Sequence, residues 1–123
     1  MKCFDSIDAS SSLDYSTLVG YADEMVVLSV AENGVSNNYM YVTTGKAPYS
    51  LTRHKVYDEN MYFTGCFDTV DSLGNSMVCN SIKWLKTSDG YHYFLLKAKS
   101  RFYVAKIATS AAGGTVENPE KVT

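Results

Sequence analysis

The sequence predicts a mainly β protein, a small antiparallel β-barrel or sandwich of six to seven strands with one short N-terminal helix. Three observations carry that prediction. Asn33-Gly34 separates two runs rich in β-branched and aromatic residues, which is the strongest short-range hairpin signal. Apolar and polar residues alternate with a period of two over much of the chain from Met25 to Ile107. Turn-forming clusters such as Asp58-Glu59-Asn60, the run from Asp71 to Asn75, and Asp89-Gly90 punctuate those runs at strand-length intervals.

The helix is expected where Ser10, Ser11 and Ser12 precede LDYSTLVGYADEM. Ser11 with Asp14 three places on resembles a capping box, although Leu13, Leu18 and Tyr21 give a ragged stripe and Gly20 weakens it. From Met25 to Glu32 the pattern turns to strand, and Val35 to Thr44 returns as its hairpin partner. A two-residue turn places Leu28 opposite Tyr39 and Val26 opposite Tyr41. Gly45 to Ser50 is a loop, and Gly45-Lys46 lacks the residues of a phosphate loop. Leu51 to Tyr57 reads as an edge strand that Arg53, His54 and Lys55 protect from aggregation. Met61 to Val70 is a further strand, with Gly65 expected at a bulge or a close backbone approach. Ser76 to Lys86 is a long strand entering the most informative stretch.

That stretch runs from Ile82 to Ile107 and holds the only Trp and most of the positive charge. It reads as three strands joined by two tight turns. If Ser88, Asp89 and Gly90 form a three-residue loop, Thr87 pairs with Tyr91 and Trp84 shares a face with Phe94. Taking three residues at the next turn too, around Lys99-Ser100, puts Ile82, Trp84, Phe94, Leu96, Phe102 and Val104 inward. The opposite face then carries Lys83, Leu85, Tyr91, Tyr93, Leu95, Lys97, Lys99, Arg101, Tyr103 and Ala105. Basic and aromatic side chains interleave there.

A length of 123 residues suits one domain, expected over residues 1 to 110, with 111 to 123 forming a flexible C-terminal arm around Gly113-Gly114 and Pro119. Hydrophobic residues at 46% and charged residues at 20% argue against disorder. No run approaches the ~20 apolar residues of a membrane helix, and Asp5 and Asp8 interrupt any signal-like core, so the expectation is no membrane and a cytoplasmic site of synthesis. Cys3, Cys66 and Cys79 are too far apart for a zinc pattern and read as free buried thiols. The net charge of -2 conceals a separation. Residues 1 to 40 carry one lysine against six acids, a balance of -5, whereas residues 81 to 107 carry six cations against Asp89, a balance of +5.

No catalytic signature is legible, and the expectation is no enzyme, no metal and no cofactor. His54 and His92 are the only histidines, and neither Cys66 nor Cys79 has the helix-start context of an activated thiol. Asp58-Glu59, and Asp68 with Asp71, border turns where acids are common for conformational reasons, and neither pair has the spacing of an EF-hand calcium loop. The binding candidates are Lys83, Tyr91, Tyr93, Lys97, Lys99, Arg101 and Tyr103. Ten tyrosines, charge separated end from end and a pliant arm point to a structural or protein-interaction subunit of a larger assembly, for example a phage or virus particle. The alternative is single-stranded nucleic acid, with cations along the phosphate track and rings on which bases stack.

Overall fold

The computed structural model describes residues 2–4, 7–8, 24–45, 50–57, 60–70, 75, 77–116 and 120–121. Seven long strands dominate: β3 (Glu24–Glu32), β4 (Val35–Thr43), β5 (Leu51–Tyr57), β6 (Asn60–Thr69), β7 (Cys79–Ser88), β8 (Tyr91–Ala98) and β9 (Arg101–Ala108). Short strands flank them: β1 (Lys2–Phe4), β2 (Ile7–Asp8), β10 (Gly114–Val116) and β11 (Glu120–Lys121). One sheet has the order β10-β6-β5-β4-β3, the second β11-β9-β8-β7, and β1 pairs with β2 alone. All pairing is antiparallel except that of β10 with β6. The architecture is therefore a two-sheet sandwich, and no closed barrel forms among the described residues. The expected N-terminal helix lies outside the described residues, apart from Glu24 and Met25, which belong to β3.

The first hairpin forms as its sequence dictates. Asn33 and Gly34 both take positive φ, 51° and 79°, as a type I′ turn requires. Leu28 duly pairs with Tyr39 and Val26 with Tyr41. Val26, Leu28, Val30, Tyr39 and Tyr41 face the second sheet, where they meet Ile82, Phe94, Leu96, Ala105 and Ile107 in one core. Full burial of Phe94, Leu96 and Leu51 contributes about 1.5 to 3 kcal/mol each.

Three expectations about register are corrected. The β7–β8 turn has two residues, Asp89 and Gly90, both at positive φ (53° and 81°), with Ser88 opposite Tyr91. The extra residue lies instead at Leu85, where the register shifts between Trp84 and Lys86. Trp84 thus still pairs with Phe94, but its ring is 44% exposed at the end of the sandwich and is no core anchor. The β8–β9 turn also has two residues, Lys99-Ser100, with Ala98 opposite Arg101. One residue fewer turns every side chain of β9 over. Tyr103, Ala105 and Ile107 are buried, and Phe102 is left 43% exposed.

Strand β5 is no edge strand but the centre of its sheet, with β4 and β6 on either side. Arg53, 5% exposed, survives there because Nε donates to Thr64 Oγ1 at 2.8 Å and Cζ lies 4.1 Å from the Tyr39 ring centroid. Gly65 combines both roles expected of it. The β5–β6 register shifts beside it, and a Cβ at Gly65 would stand 2.3 Å from the Ala112 carbonyl oxygen. That close approach leads the chain into β10, where Val116 is 2% exposed in the core, so part of the stretch expected as an arm is sheet. Cysteine chemistry also departs from expectation. Cys79 is a free buried thiol, but Cys66 is disulfide-bonded, which residues far apart in sequence conceal from spacing rules.

Candidate functional site

The outward face of β7, β8 and β9 is the first candidate, and its members follow from the observed registers. Lys83 stands opposite Leu95, Lys86 opposite Tyr93, Tyr93 opposite Lys106, and Lys97 opposite Phe102. Four of the seven predicted residues, Lys83, Tyr91, Tyr93 and Lys97, therefore share this face. Tyr103 does not, because it points into the core at 9% exposure. Lys99 and Arg101 leave it for the end of the sandwich, where they line a cavity. Lys86, Phe102 and Lys106 take their places. The two-residue reading of Lys99-Ser100 would have found Phe102 and Lys106, since alternation fixes both once that turn is right. Lys86 likewise follows from the two-residue Asp89-Gly90 turn, whereas Lys83 shares the face only because of the bulge at Leu85, which no residue pattern announces.

Lysine ammonium groups sit on the tyrosine rings of this face. Lys106 Nζ lies 4.1 Å from the Tyr91 centroid and Lys86 Nζ 4.8 Å from that of Tyr93. Each exposed contact of this kind is worth about 0.5 to 1 kcal/mol and holds the cation over the sheet. Among the described side chains pointing outward from these three strands there is no carboxylate; the one acid in the stretch, Asp89, is at the turn. The three strands therefore contribute only cations to this face; the acids near it come from its neighbours, Glu24 accepting from Ser81 Oγ at 3.1 Å and Glu120 of β11 standing opposite Val104.

At the other end of these strands, next to the β7–β8 turn, lies a polar relay that sequence reading did not anticipate. The bulge at Leu85 lets Trp84 and Thr87 point to one side although they are three residues apart. Trp84 Nε1 donates to Thr87 Oγ1 at 3.0 Å, and that hydroxyl is 2.6 Å from His92 Nδ1. His92 is 1% exposed, and burial followed by the nearby Arg53 charge lowers its pKa. Tyr41 packs edge-on against His92 with centroids 5.7 Å apart, and burial raises the pKa of its phenol. At the mouth, Glu32 accepts from Tyr39 Oη at 2.5 Å and from Asn37 Nδ2 at 2.9 Å, and these bonds hold its carboxyl below the ordinary range. The other histidine, His54, is wholly buried on the reverse side of β5, which depresses its pKa to about 4. Its Nε2 lies 2.9 Å from Thr52 Oγ1.

The β8–β9 end of the sandwich, where Lys99 and Arg101 stand, is built around the Met77–Val78 segment. Met77 N donates to the Thr69 carbonyl at 2.6 Å. The Ser50 and Thr69 hydroxyls both reach the Met77 carbonyl, at 2.9 and 2.7 Å. This buried network fixes one wall of the cavity that Lys99 and Arg101 overlook.

Chemically, the outward face can bind, and the relay positions one hydroxyl against an imidazole, Thr87 Oγ1 at 2.6 Å from His92 Nδ1. Among the described residues no group of three or more His, Cys, Asp or Glu converges on a point that could hold a metal ion. No helix among them is long and apolar enough to cross a membrane. No protein-family model matches this chain, and no curated protein or solved structure does either. What the fold and face define is a mainly β, two-sheet sandwich carrying a basic and aromatic sheet surface.

Proposed function

We propose that this chain is a non-enzymatic structural or protein-interaction subunit that associates with further copies of itself within a larger assembly, of which a phage or virus particle is one setting. One observation carries the reading. The outward face of β7, β8 and β9 sets Lys83, Lys86, Lys97 and Lys106 among Tyr91, Tyr93 and Phe102, and these three strands contribute no carboxylate of their own to it. A surface rich in half-exposed rings is what interface cores use, and unopposed charge seeks its complement. The chain supplies that complement itself, because residues 1 to 40 carry a balance of -5 against +5 in residues 81 to 107. A copy presenting its acidic region to this face satisfies both.

The same basic and aromatic face favours a second reading, single-stranded nucleic acid. Phosphates would draw lysines off the tyrosine rings and bases would stack in their place, each stack being worth about 1 to 3 kcal/mol. Size-exclusion chromatography with light scattering, at low and high salt, with and without a fluorescent oligothymidine, separates the two. Multimers that dissociate with salt and ignore the oligonucleotide support self-association. A monomer that takes up the oligonucleotide with a steep salt dependence replaces it with the nucleic-acid reading. A monomer that binds nothing under either condition removes both.

A further inference from the structure

The cavity at the β8–β9 end stands apart from the outward face. Its volume is about 550 Å³, within the range of small-molecule sites. Met77, Val78 and Ala98 give it apolar lining, Tyr103 an aromatic wall, and Asn75 and Ser100 hydrogen-bonding groups. Lys99 and Arg101 stand at it as exposed cations, and no carboxylate is among the described residues that line it.

A second observation concerns the backbone at Lys99. Its φ is +57°, whereas Ser100 is not among the residues of positive φ. That is the pattern of a type II′ turn, whose first central position belongs to glycine. The other two hairpins meet their positive-φ demands with Asn33-Gly34 and Asp89-Gly90. Only here does a long basic side chain occupy the position. Backbone strain of this sort concentrates where a side chain serves a site. Here it places an ammonium group at a cavity that Met77 also lines, its carbonyl held by the Ser50 and Thr69 hydroxyls.

We infer that this cavity binds a small organic anion, a phosphate or carboxylate head held by Lys99 and Arg101 with a ring or apolar body against Met77, Val78 and Tyr103. Arg101 supplies a planar fork suited to either head group, and Lys99 a point charge. The inference is independent of the outward face, whose rings and lysines it does not use.

Amide chemical shifts followed by NMR test it, with phenyl phosphate and benzoate as the probes and phenol and inorganic phosphate as controls. Saturable shifts at Asn75, Lys99, Ser100 and Arg101 are expected with one or both organic anions and not with phenol. Arg101→Gln and Lys99→Gly each weaken that binding by about tenfold or more. Lys99→Gly at the same time leaves the melting temperature unchanged or raises it, because glycine accepts the turn geometry that lysine resists. The inference is overturned by the absence of saturable shifts with either organic anion, by equal binding of phenol, or by affinity that neither variant changes. Inorganic phosphate binding as tightly as phenyl phosphate would overturn the organic ligand and leave a bare charge site.

Discussion

The indole Nε1 of Trp84 and the hydroxyl of Thr87 are joined by a 3.0 Å hydrogen bond that exists because the strand between them carries one residue too many. In a regular strand, positions three apart point to opposite faces. The register shift at Leu85 cancels that alternation and delivers the Thr87 oxygen to buried His92. The consequence is a ranking of substitutions. Thr87→Val leaves His92 Nδ1 buried without this partner and should cost about 1 to 3 kcal/mol in urea unfolding. Trp84→Phe removes only a donor from a half-exposed ring and should cost about 1 kcal/mol or less. The reverse order would mean the indole, and not the hydroxyl, holds this end together.

Acid should destabilise the fold before it titrates ordinary carboxylates. His54 falls from 6.5 to about 4 through burial, and His92 is lowered too, so between pH 6.5 and 4 the unfolded chain binds more protons than the folded one. Stability is then complete above pH 6.5 and declines as pH falls, by on the order of 3 kcal/mol for His54 alone. Glu32, whose pKa is also lowered, contributes in the same direction at lower pH. Urea midpoints measured from pH 7.5 to 4.5 check this, and His54→Gln should flatten the slope. A midpoint constant across that interval would contradict the burial of both imidazoles.

Gly65→Ala should loosen β10 without unfolding the remainder. The new Cβ would stand 2.3 Å from the Ala112 carbonyl, so the 112–113 backbone must move and carry β10 from its parallel seat on β6. A loss of about 1 to 3 kcal/mol is expected, with hydrogen exchange quickening at Gly114 to Val116. Unchanged protection there would show that the approach has slack.

Lys86→Gln together with Lys106→Gln should leave the melting temperature within a few degrees, since exposed cation–π contacts contribute about 0.5 to 1 kcal/mol each. Lys97, Lys99 and Arg101 exchanged together for Ser should likewise spare folding, all three lying on partly or fully exposed positions. Self-association should weaken in the first variant. A large loss of stability in either would mean these cations serve an internal network.

Thiol titration should distinguish the cysteines. Cys79, with no exposed surface, should stay inert toward a thiol reagent until the protein is denatured. Cys66 should become reactive only after reduction as well as denaturation. An identical thiol count before and after reductant would remove the disulfide.

Sequence by itself determined where the seven long strands lie and how the first hairpin registers, but not the short strands β1, β2, β10 and β11. Asn33-Gly34 admits few turn geometries, and a two-residue turn leaves one pairing, so Leu28 meets Tyr39 with nothing further to decide. It also located the basic and aromatic stretch, because Tyr91, Tyr93 and Lys97 lie on one strand and needed only a period of two, whereas the face of Lys83 depended on an extra residue before the turn. What it could not determine was where an extra residue sits. Asp89-Gly90 is compatible with a bulged three-residue loop and with a tight turn followed by a bulge at Leu85, and local chemistry does not separate them. At Lys99-Ser100 local chemistry misled outright, since a positive φ at lysine is unfavourable and only the surrounding sandwich enforces it. One residue there decided whether Phe102 or Tyr103 entered the core. Tertiary structure alone also made β5 a central strand, because what allows Arg53 inside is Thr64 from β6 and the ring of Tyr39 from β4. Those partners lie 11 and 14 positions away in sequence, beyond the reach of any periodicity, and only folding brings them within bonding distance.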